Sequence, residues 1–367
     1  MKILFITRES DNEPGARIRC YNFSLILNKR GLYTEVFSFA DKLGAKSGKD
    51  DIKFTFKEKL VYMYKAYKFL SKEIGQFVFI VNRFNYHTIL VWIFSFFRKI
   101  PFIFDMDDWE AREDIGINNL FPKSKAEMLT RLFAKNSLFC IAASKYLEDY
   151  LSQYNSKVYY IPTGVDLNIF YPSDRREKTN FVFSWHGSLN RKEIVEYIQF
   201  IMDCFLVLYP KYMFIRLYIA GDGIFKKELE ILIKKYNCEA IVYGGNITHE
   251  NIPAYLDKID VGLVPLLDAT KFNLSKSPVK LFEYMAKTKP VIVSPTGEAK
   301  HIIQNEYNGL LALNKDDFIS CMDKLITDSS LCSYLGVNAR KTIKEKYSLD
   351  VLGETLYKIL IKNKLDL

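Results

Sequence analysis

The stretch Ser275-Lys-Ser-Pro-Val-Lys-Leu-Phe-Glu-Tyr-Met-Ala-Lys-Thr-Lys-Pro-Val-Ile-Val-Ser294 reads as a capped helix running into a buried strand. Ser277 has an N-cap side chain, and Pro278 suits the first helical position, where its missing N–H would have no partner anyway. Val279, Leu281, Phe282 and Met285 are spaced to cover one side of a short helix. Lys289-Pro290 breaks it, and Val291-Ile292-Val293 has the continuous apolar character of a parallel strand covered on both faces. A loop feeding a helix N-terminus offers N–H groups and the positive end of the helix dipole, so the turn at Ser277 and Val279 suits a phosphate. Glu283 follows about a turn and a half later, where a carboxylate can accept hydrogen bonds from two sugar hydroxyls. An anion at the tip and a diol behind it describe a nucleotide diphosphate. The same pattern also fits an ordinary capped helix of an α/β protein with one solvated glutamate.

At 367 residues the chain is long enough for two domains, each with its own core. A hydrophobic share of 49% and the lack of any low-complexity tract place it among globular proteins. The formal charge of +9 favours acidic partners, namely nucleotide phosphates, anionic lipid head groups or nucleic acid, or else follows from an AT-rich genome. The basic residues are dispersed and no nucleic-acid motif is present, so nucleic acid is not an expected partner. The six cysteines form no Cys-x-x-Cys and have no histidine at ligand spacing, which argues against structural zinc and fits a reducing, cytoplasmic setting. The first residues are too soon charged for a signal peptide, and the apolar run Ile89 to Phe97 is too short to span a bilayer.

Along the chain, Lys2 to Thr7 reads as a first strand and Arg8 to Ala16 as a loop containing Pro14-Gly15. Arg17 to Lys29 reads as a helix ending at Gly31, and Tyr33 to Phe39 as the second strand. No Gly-x-Gly-x-x-Gly occurs there, so a nicotinamide fingerprint is missing. Arg17 and Arg19, in the first turn, either hold a phosphate or carboxylate or are solvated. Asp41 to Asp51 reads as a polar loop. Phe56 to Ile74 reads as a long helix with Leu60, Met63, Tyr64, Tyr67 and Leu70 on one face and five lysines elsewhere. Such a helix covers a sheet or rests on anionic lipid. Strands at Phe77 to Val81, Pro101 to Asp105, Leu138 to Ala142 and Val158 to Ile161 alternate with helices and indicate a parallel sheet. Asp105-Met106-Asp107 falls at a strand end, where two carboxylates either hold a divalent metal against a diphosphate or cap the next helix and pair with arginines. A linker is expected over Ser173 to Asn180. A second series of alternating strands and helices follows it, giving an α/β chain of two doubly wound domains with a cleft between them.

Seven blocks then stand in a familiar order. They are Ile161-Pro-Thr-Gly-Val-Asp-Leu-Asn-Ile-Phe170, Trp185-His-Gly-Ser-Leu189 with Lys192, and Tyr218-Ile-Ala-Gly-Asp-Gly223. After them come Val242-Tyr-Gly-Gly-Asn-Ile-Thr248, Asp260-Val-Gly-Leu-Val-Pro265, Lys280 to Ile292, and Asn308-Gly-Leu-Leu311. Together they resemble glycosyltransferase family 4, retaining enzymes of the GT-B fold. The resemblance implies two Rossmann-like doubly wound parallel-sheet domains facing across a cleft. It places an acceptor-side domain at 1–172, a nucleotide-sugar donor domain at 173–346, and a last helix, about Leu349 to Lys364, crossing back within 347–367.

Carried over by position, Glu283 resembles the glutamate that binds the donor ribose, and Lys192 or Arg191 the base that neutralises the diphosphate. Gly15 resembles the first-loop glycine that lets the phosphates approach, with Arg17 beside it. Gly187 and Gly221 fall in the glycine-bearing donor blocks, and Gly245 to Ile247 would contact the nucleobase. Ser277, Val279 and Lys280 would meet the phosphates, and Asp107 with Lys192 would stand at the catalytic positions. The family's chemistry is metal-free, so neither a metal nor another cofactor is implied, and cationic clamps stabilise the leaving diphosphate. Three departures stand out. Ser275 replaces a second glutamate eight positions before Glu283, Ser188 replaces a frequent arginine, and Asp107 stands where a histidine is expected.

The expected activity is transfer of a sugar from a nucleotide diphosphate sugar to a glycan or lipid-linked acceptor in cell-surface polysaccharide synthesis. The expected location is the cytoplasm, peripheral on the inner face of the membrane. The rival readings are a metal-dependent transferase built on Asp105 and Asp107, and an altered or non-catalytic GT-B partner that binds the nucleotide.

Overall fold

A computed structural model describes residues 2–46, 55–72, 77–109, 123–173 and 179–363. Residues 174–178 of the expected linker, 47–51 of the polar loop, Ile74 and Lys364 lie outside the described residues.

The chain divides into two compact units. In the first, β1 (Lys2–Thr7), β2 (Thr34–Ser38), β3 (Phe77–Asn82), β4 (Phe102–Met106), β5 (Cys140–Ala142) and β6 (Val158–Tyr160) form one parallel sheet in the order β2-β1-β3-β4-β5-β6. β3 is buried at every residue, as expected of a central strand with helices on both faces. Phe79, Phe102, Phe104 and Phe133 fill one side of this core, with Phe102 and Phe133 stacked 4.4 Å apart.

The second unit pairs β7 (Phe181–Ser188), β8 (Ile215–Asp222), β9 (Ile241–Tyr243), β10 (Val261–Val264), β11 (Val291–Val293) and β12 (Leu310–Leu311) in the order β12-β11-β10-β7-β8-β9, again all parallel. Strand order reverses beside β1 in the first sheet and beside β7 in the second. At such a point the connections leave towards opposite faces and open a crevice at the strand C-termini, where open α/β sheets bind ligands.

The units are not cut where the sequence suggests. The first comprises Met1–Gly164, Thr270–Ser277 and Leu349–Leu367, and the second Val165–Ala269 and Pro278–Ser348. The boundary expected at 172/173 falls at 164/165 because the stretch after Gly164 is tied to the second unit. Val165 N–H donates to Tyr347 O at 3.1 Å, and Arg340 donates to Phe170 O at 2.9 Å. Thr270–Ser277 belongs to the first unit because Ser277 Oγ accepts the Thr163 N–H at 2.9 Å and Lys271 lies 3.6 Å from Glu127. The helix Leu349–Lys362 packs on the helix Phe23–Lys29, with Gly353 so close to Ile26 that a Cβ there would lie 2.5 Å from it. Arg30 and Glu354 pair across the same contact.

Other local differences have plain causes. The first helix starts at Pro14, not Arg17, because proline is pre-set for the first helical turn; it runs through a π-wound stretch, Arg17–Asn22, into Phe23–Lys29. Two short helices, Phe39–Leu43 and Lys271–Ser275, are capped by the side chains of Ser38 and Thr270. β7 and β8 stay paired to their ends at Ser188 and Asp222, where bare glycines allow Gly187 to pair with Gly221.

The helix Phe56–Leu70 turns only part of its apolar stripe inward, with Leu70 buried and Met63 half-buried against the core. Lys59, Ala66 and Leu70 are buried, while Leu60, Tyr64 and Tyr67 stand 47%, 68% and 39% exposed. Among the described residues no helix is long and apolar enough to cross a membrane.

Gly262 on β10 lies under the ring of Tyr284, whose carbons would sit 2.4 Å from an added Cβ. Gly262→Ala is expected to destabilise the second unit by about 1–3 kcal/mol, the range for overpacking a filled core, seen as a lower denaturant midpoint. A midpoint equal to the parent's would place the Tyr284 ring elsewhere.

Candidate functional site

In the second unit the strand β7 delivers Trp185, His186 and Gly187 to the reversal point, and the helix Val279–Ala286 arrives beside them. That helix is buried along Leu281, Phe282, Glu283, Tyr284, Met285 and Ala286, so it packs on more than the one side expected. Its N-terminus also differs from expectation. Pro278 occupies the N-cap position with no side-chain cap, because the Ser277 hydroxyl is committed to Thr163 N–H.

Glu283 is 4% exposed, and its Oε2 lies 2.8 Å from His186 Nε2. Three glycines line the neighbouring strand ends. Gly187 has φ +154°, a backbone reserved for glycine, and a Cβ on it would lie 2.6 Å from Lys280 Nζ. A Cβ on Gly221 would lie 2.1 Å from Gly187 O, so the strands approach as closely as glycine permits. Gly221 N–H donates to Gly245 O at 2.8 Å, and Gly245 takes φ +68° ahead of half-buried Ile247.

Lys280 is the cation brought against Gly187, its ammonium 3.9 Å over the Trp185 ring. Of the two clamp candidates, Arg191 pairs with Glu193 at 2.7 Å, and Lys192 is exposed at the first residue of the helix Lys192–Leu208. Val279 begins the helix that carries Lys280.

The first unit gathers a separate charged cluster. Arg19 is fully buried, donating from Nε to Asp105 at 2.9 Å and from Nη1 to Ile161 O at 2.6 Å. Asp107 accepts from Arg83 Nε at 2.6 Å, from Nη2 at 2.9 Å and from Asn82 Nδ2 at 3.2 Å. Burial would raise the Asp107 carboxyl, but the Arg83 and Arg19 guanidinium groups outweigh it and hold it below the usual aspartate range. Both acids of the Asp-x-Asp stretch are therefore the anions of arginine pairs, the arginine-pairing option that the sequence left open, and a metal would have to displace a guanidinium from each. Among the described residues no group of three His, Cys, Asp or Glu side chains is arranged to hold a metal ion.

A Cβ on Gly15 would lie 2.3 Å from Arg83 Nη2. Arg17 donates to the Asn12 carbonyl at 3.1 Å and closes its own loop. Ser275, in the place of the second glutamate, is fully buried in the first unit with its hydroxyl on Phe272 O at 2.9 Å.

No spacing in the sequence singles out Arg83, which follows a fully apolar strand at its C-terminal end, or His186, which sits inside one of the seven blocks.

Residues 180–328 match the family model described as Glycosyl transferases group 1. An uncharacterized glycosyltransferase of Methanocaldococcus jannaschii is 28% identical over 153 residues, which cover 40% of this chain and 38% of that protein. The match thus spans well under half the length of that curated relative. Among solved structures, sucrose-phosphate synthase of Thermosynechococcus elongatus superposes with a TM-score of 0.78 at 15% identity, covering 99% of both chains. Anabaena HepE in complex with UDP and glucose gives a TM-score of 0.72 at 16% identity, over 99% of this chain and 100% of that one. Likeness of this extent at such low identity shows the fold, GT-B, with two Rossmann-like α/β units.

Arg19→Met leaves Asp105 buried without its cation and is expected to cost about 3–5 kcal/mol in denaturant unfolding. The double variant Arg19→Met/Asp105→Leu should recover most of that loss. A single variant no worse than the double would show that the pair is not buried as described.

Proposed function

We propose that this chain, a GT-B protein with a glycosyl transferases group 1 domain over residues 180–328, is a retaining glycosyltransferase of family 4. It takes a sugar from a nucleotide diphosphate sugar and passes it to a glycan or lipid-linked acceptor in cell-surface polysaccharide synthesis. One observation carries the reading. Glu283, Lys280 and the glycines 187, 221 and 245 meet at the reversal point of the second sheet. The glycines leave backbone bare for a diphosphate, Lys280 supplies charge against it, and Glu283 accepts the ribose hydroxyls. Gly245 to Ile247 meet the base. That HepE is held with UDP and glucose supports a UDP-sugar as the first donor to try.

As the sugar–phosphate bond breaks, negative charge builds on the leaving diphosphate. Lys280, with Lys192 and Arg191 at the start of the next helix, lowers that barrier by fixed positive charge. No metal or other cofactor enters this scheme. Asp107 acts together with Arg83 as a fixed ion pair of the acceptor-side unit. A second reading is a GT-B partner that binds the nucleotide without turnover, and one observation favours it. Buried Ser275 offers the transferred sugar no carboxylate.

The working place of the protein is the inner face of an anionic membrane. Leu60, Tyr64 and Tyr67 point outward from their helix, and Phe96 and Phe97 are 72% and 76% exposed at the end of another, next to exposed Arg98 and Lys99. Aromatic tips beside cations suit a bilayer interface.

Isothermal titration with UDP, GDP, ADP and dTDP tests the donor site. One nucleotide is expected to bind with EDTA present, and Glu283→Ala should weaken it by about 1–3 kcal/mol, the range for losing a charged hydrogen-bond partner. Unchanged affinity in that variant removes Glu283 from the ribose. Hydrolysis or transfer of the matching nucleotide sugar then separates the enzyme from the non-catalytic partner.

For the membrane, Phe96→Ser/Phe97→Ser should weaken pelleting with phosphatidylserine vesicles about tenfold, the loss of two partly buried rings. Parent binding should fall as salt rises. Pelleting indifferent to both changes would count against this surface.

A further inference from the structure

A carboxylate as buried as that of Glu283 must be met by a donor or give up its charge. His186 meets it, with Nε2 2.8 Å from Oε2, while the ring's Nδ1 lies 2.9 Å from the Tyr284 hydroxyl. Burial pushes the Tyr284 phenol well up, so it keeps its proton and can donate to Ser184 O at 3.0 Å. Facing a carboxylate, Nε2 serves as the N–H donor, with Nδ1 turned to the phenol.

The ring is also held in place. It stands edge-on to Tyr284 at 4.8 Å and to Tyr255 at 6.1 Å, and the Tyr255 hydroxyl lies 2.7 Å from Ser184 Oγ. Gly262 is the gap that admits the Tyr284 ring. A line of hydrogen bonds thus runs from β7 through the tyrosines to one oxygen of Glu283, leaving its orientation no freedom of its own.

We propose that His186 is the positioning residue of the nucleotide site. By holding Glu283 Oε2 it aims the carboxylate at the ribose, and so sets the preference for ribose over 2′-deoxyribose. This rests on the donor-site reading given above.

Calorimetric titration of the full chain with UDP and 2′-deoxy-UDP, with the guanosine pair as a second set, reads it directly. The parent is expected to prefer the ribonucleotide about tenfold or more, as losing a hydrogen bond to a charged group demands, and Glu283→Ala should abolish the preference. His186→Phe, which keeps a flat ring but no donor, should also lose the preference. His186→Gln, whose amide can replace Nε2–H, should keep it. If His186→Phe does not fold, His186→Asn, too short to reach Glu283, takes its place in the same titration. A His186→Phe protein that binds both nucleotides more weakly by one common factor, its preference intact, overturns the proposal and leaves His186 a packing residue. A parent that binds no nucleotide overturns the donor-site reading itself. A parent that binds with a preference surviving in Glu283→Ala removes Glu283 from the ribose and this inference with it.

Discussion

A charged group on a helix that is buried nearly all round has to find a partner inside the protein, and much of the second unit is arranged around one such meeting. Glu283 and His186 come together at 2.8 Å from a helix and a strand 97 residues apart. For that contact to form, the Val279–Ala286 helix must lie against the end of β7, which requires a gap under Tyr284, supplied by Gly262. Bare backbone lies beside the pair at half-buried Gly187 and buried Gly221, where the strands come too close for a side chain on Gly221. The sheet's reversal point and the polar groups beside it are one construction.

The first unit solves the same electrostatic problem differently. Asp105 and Asp107 at the end of β4 are met by Arg19 and Arg83, whose planar forks satisfy both carboxylate oxygens. A guanidinium that never deprotonates makes these fixed pairs. The imidazole in the second unit meets only one oxygen of its carboxylate. One unit thus has both oxygens of its acids forked by arginine, and the other has its acid held at a single oxygen.

Much of this was legible in the amino-acid order, and the exceptions are instructive. Apolar runs such as Phe77 to Val81 and Val291 to Val293 identify parallel strands because such strands are buried on both faces. The two sheets followed from their alternation with helices. Strand length was not legible at Gly187 and Gly221, since residues without side chains carry no alternating pattern. The stripe Leu60, Met63, Tyr64, Tyr67 and Leu70 looks like core throughout, whereas Leu70 alone of it is buried and Met63 half-buried, with Ala66 and Lys59 filling the rest of that face. The Glu283 position could be read from its own helix. Its histidine could not, because hydrogen-bond partners so far apart leave no spacing to read. The arginine pairs hid for the same reason, Arg19 and Asp105 being 86 residues apart.

The first unit is assembled from three separated lengths of chain, and the third, beginning at Leu349, emerges only after the whole second unit has been made. Until then Ile26 and its helix have no partner for the surface that Gly353 will cover. A ribosome delivers the chain in one direction, so the second unit's sheet can close while the first still waits for its last helix. The order of completion therefore runs against chain order. The half that starts first finishes last, and its half-built surface is what a chaperone would meet on the nascent chain.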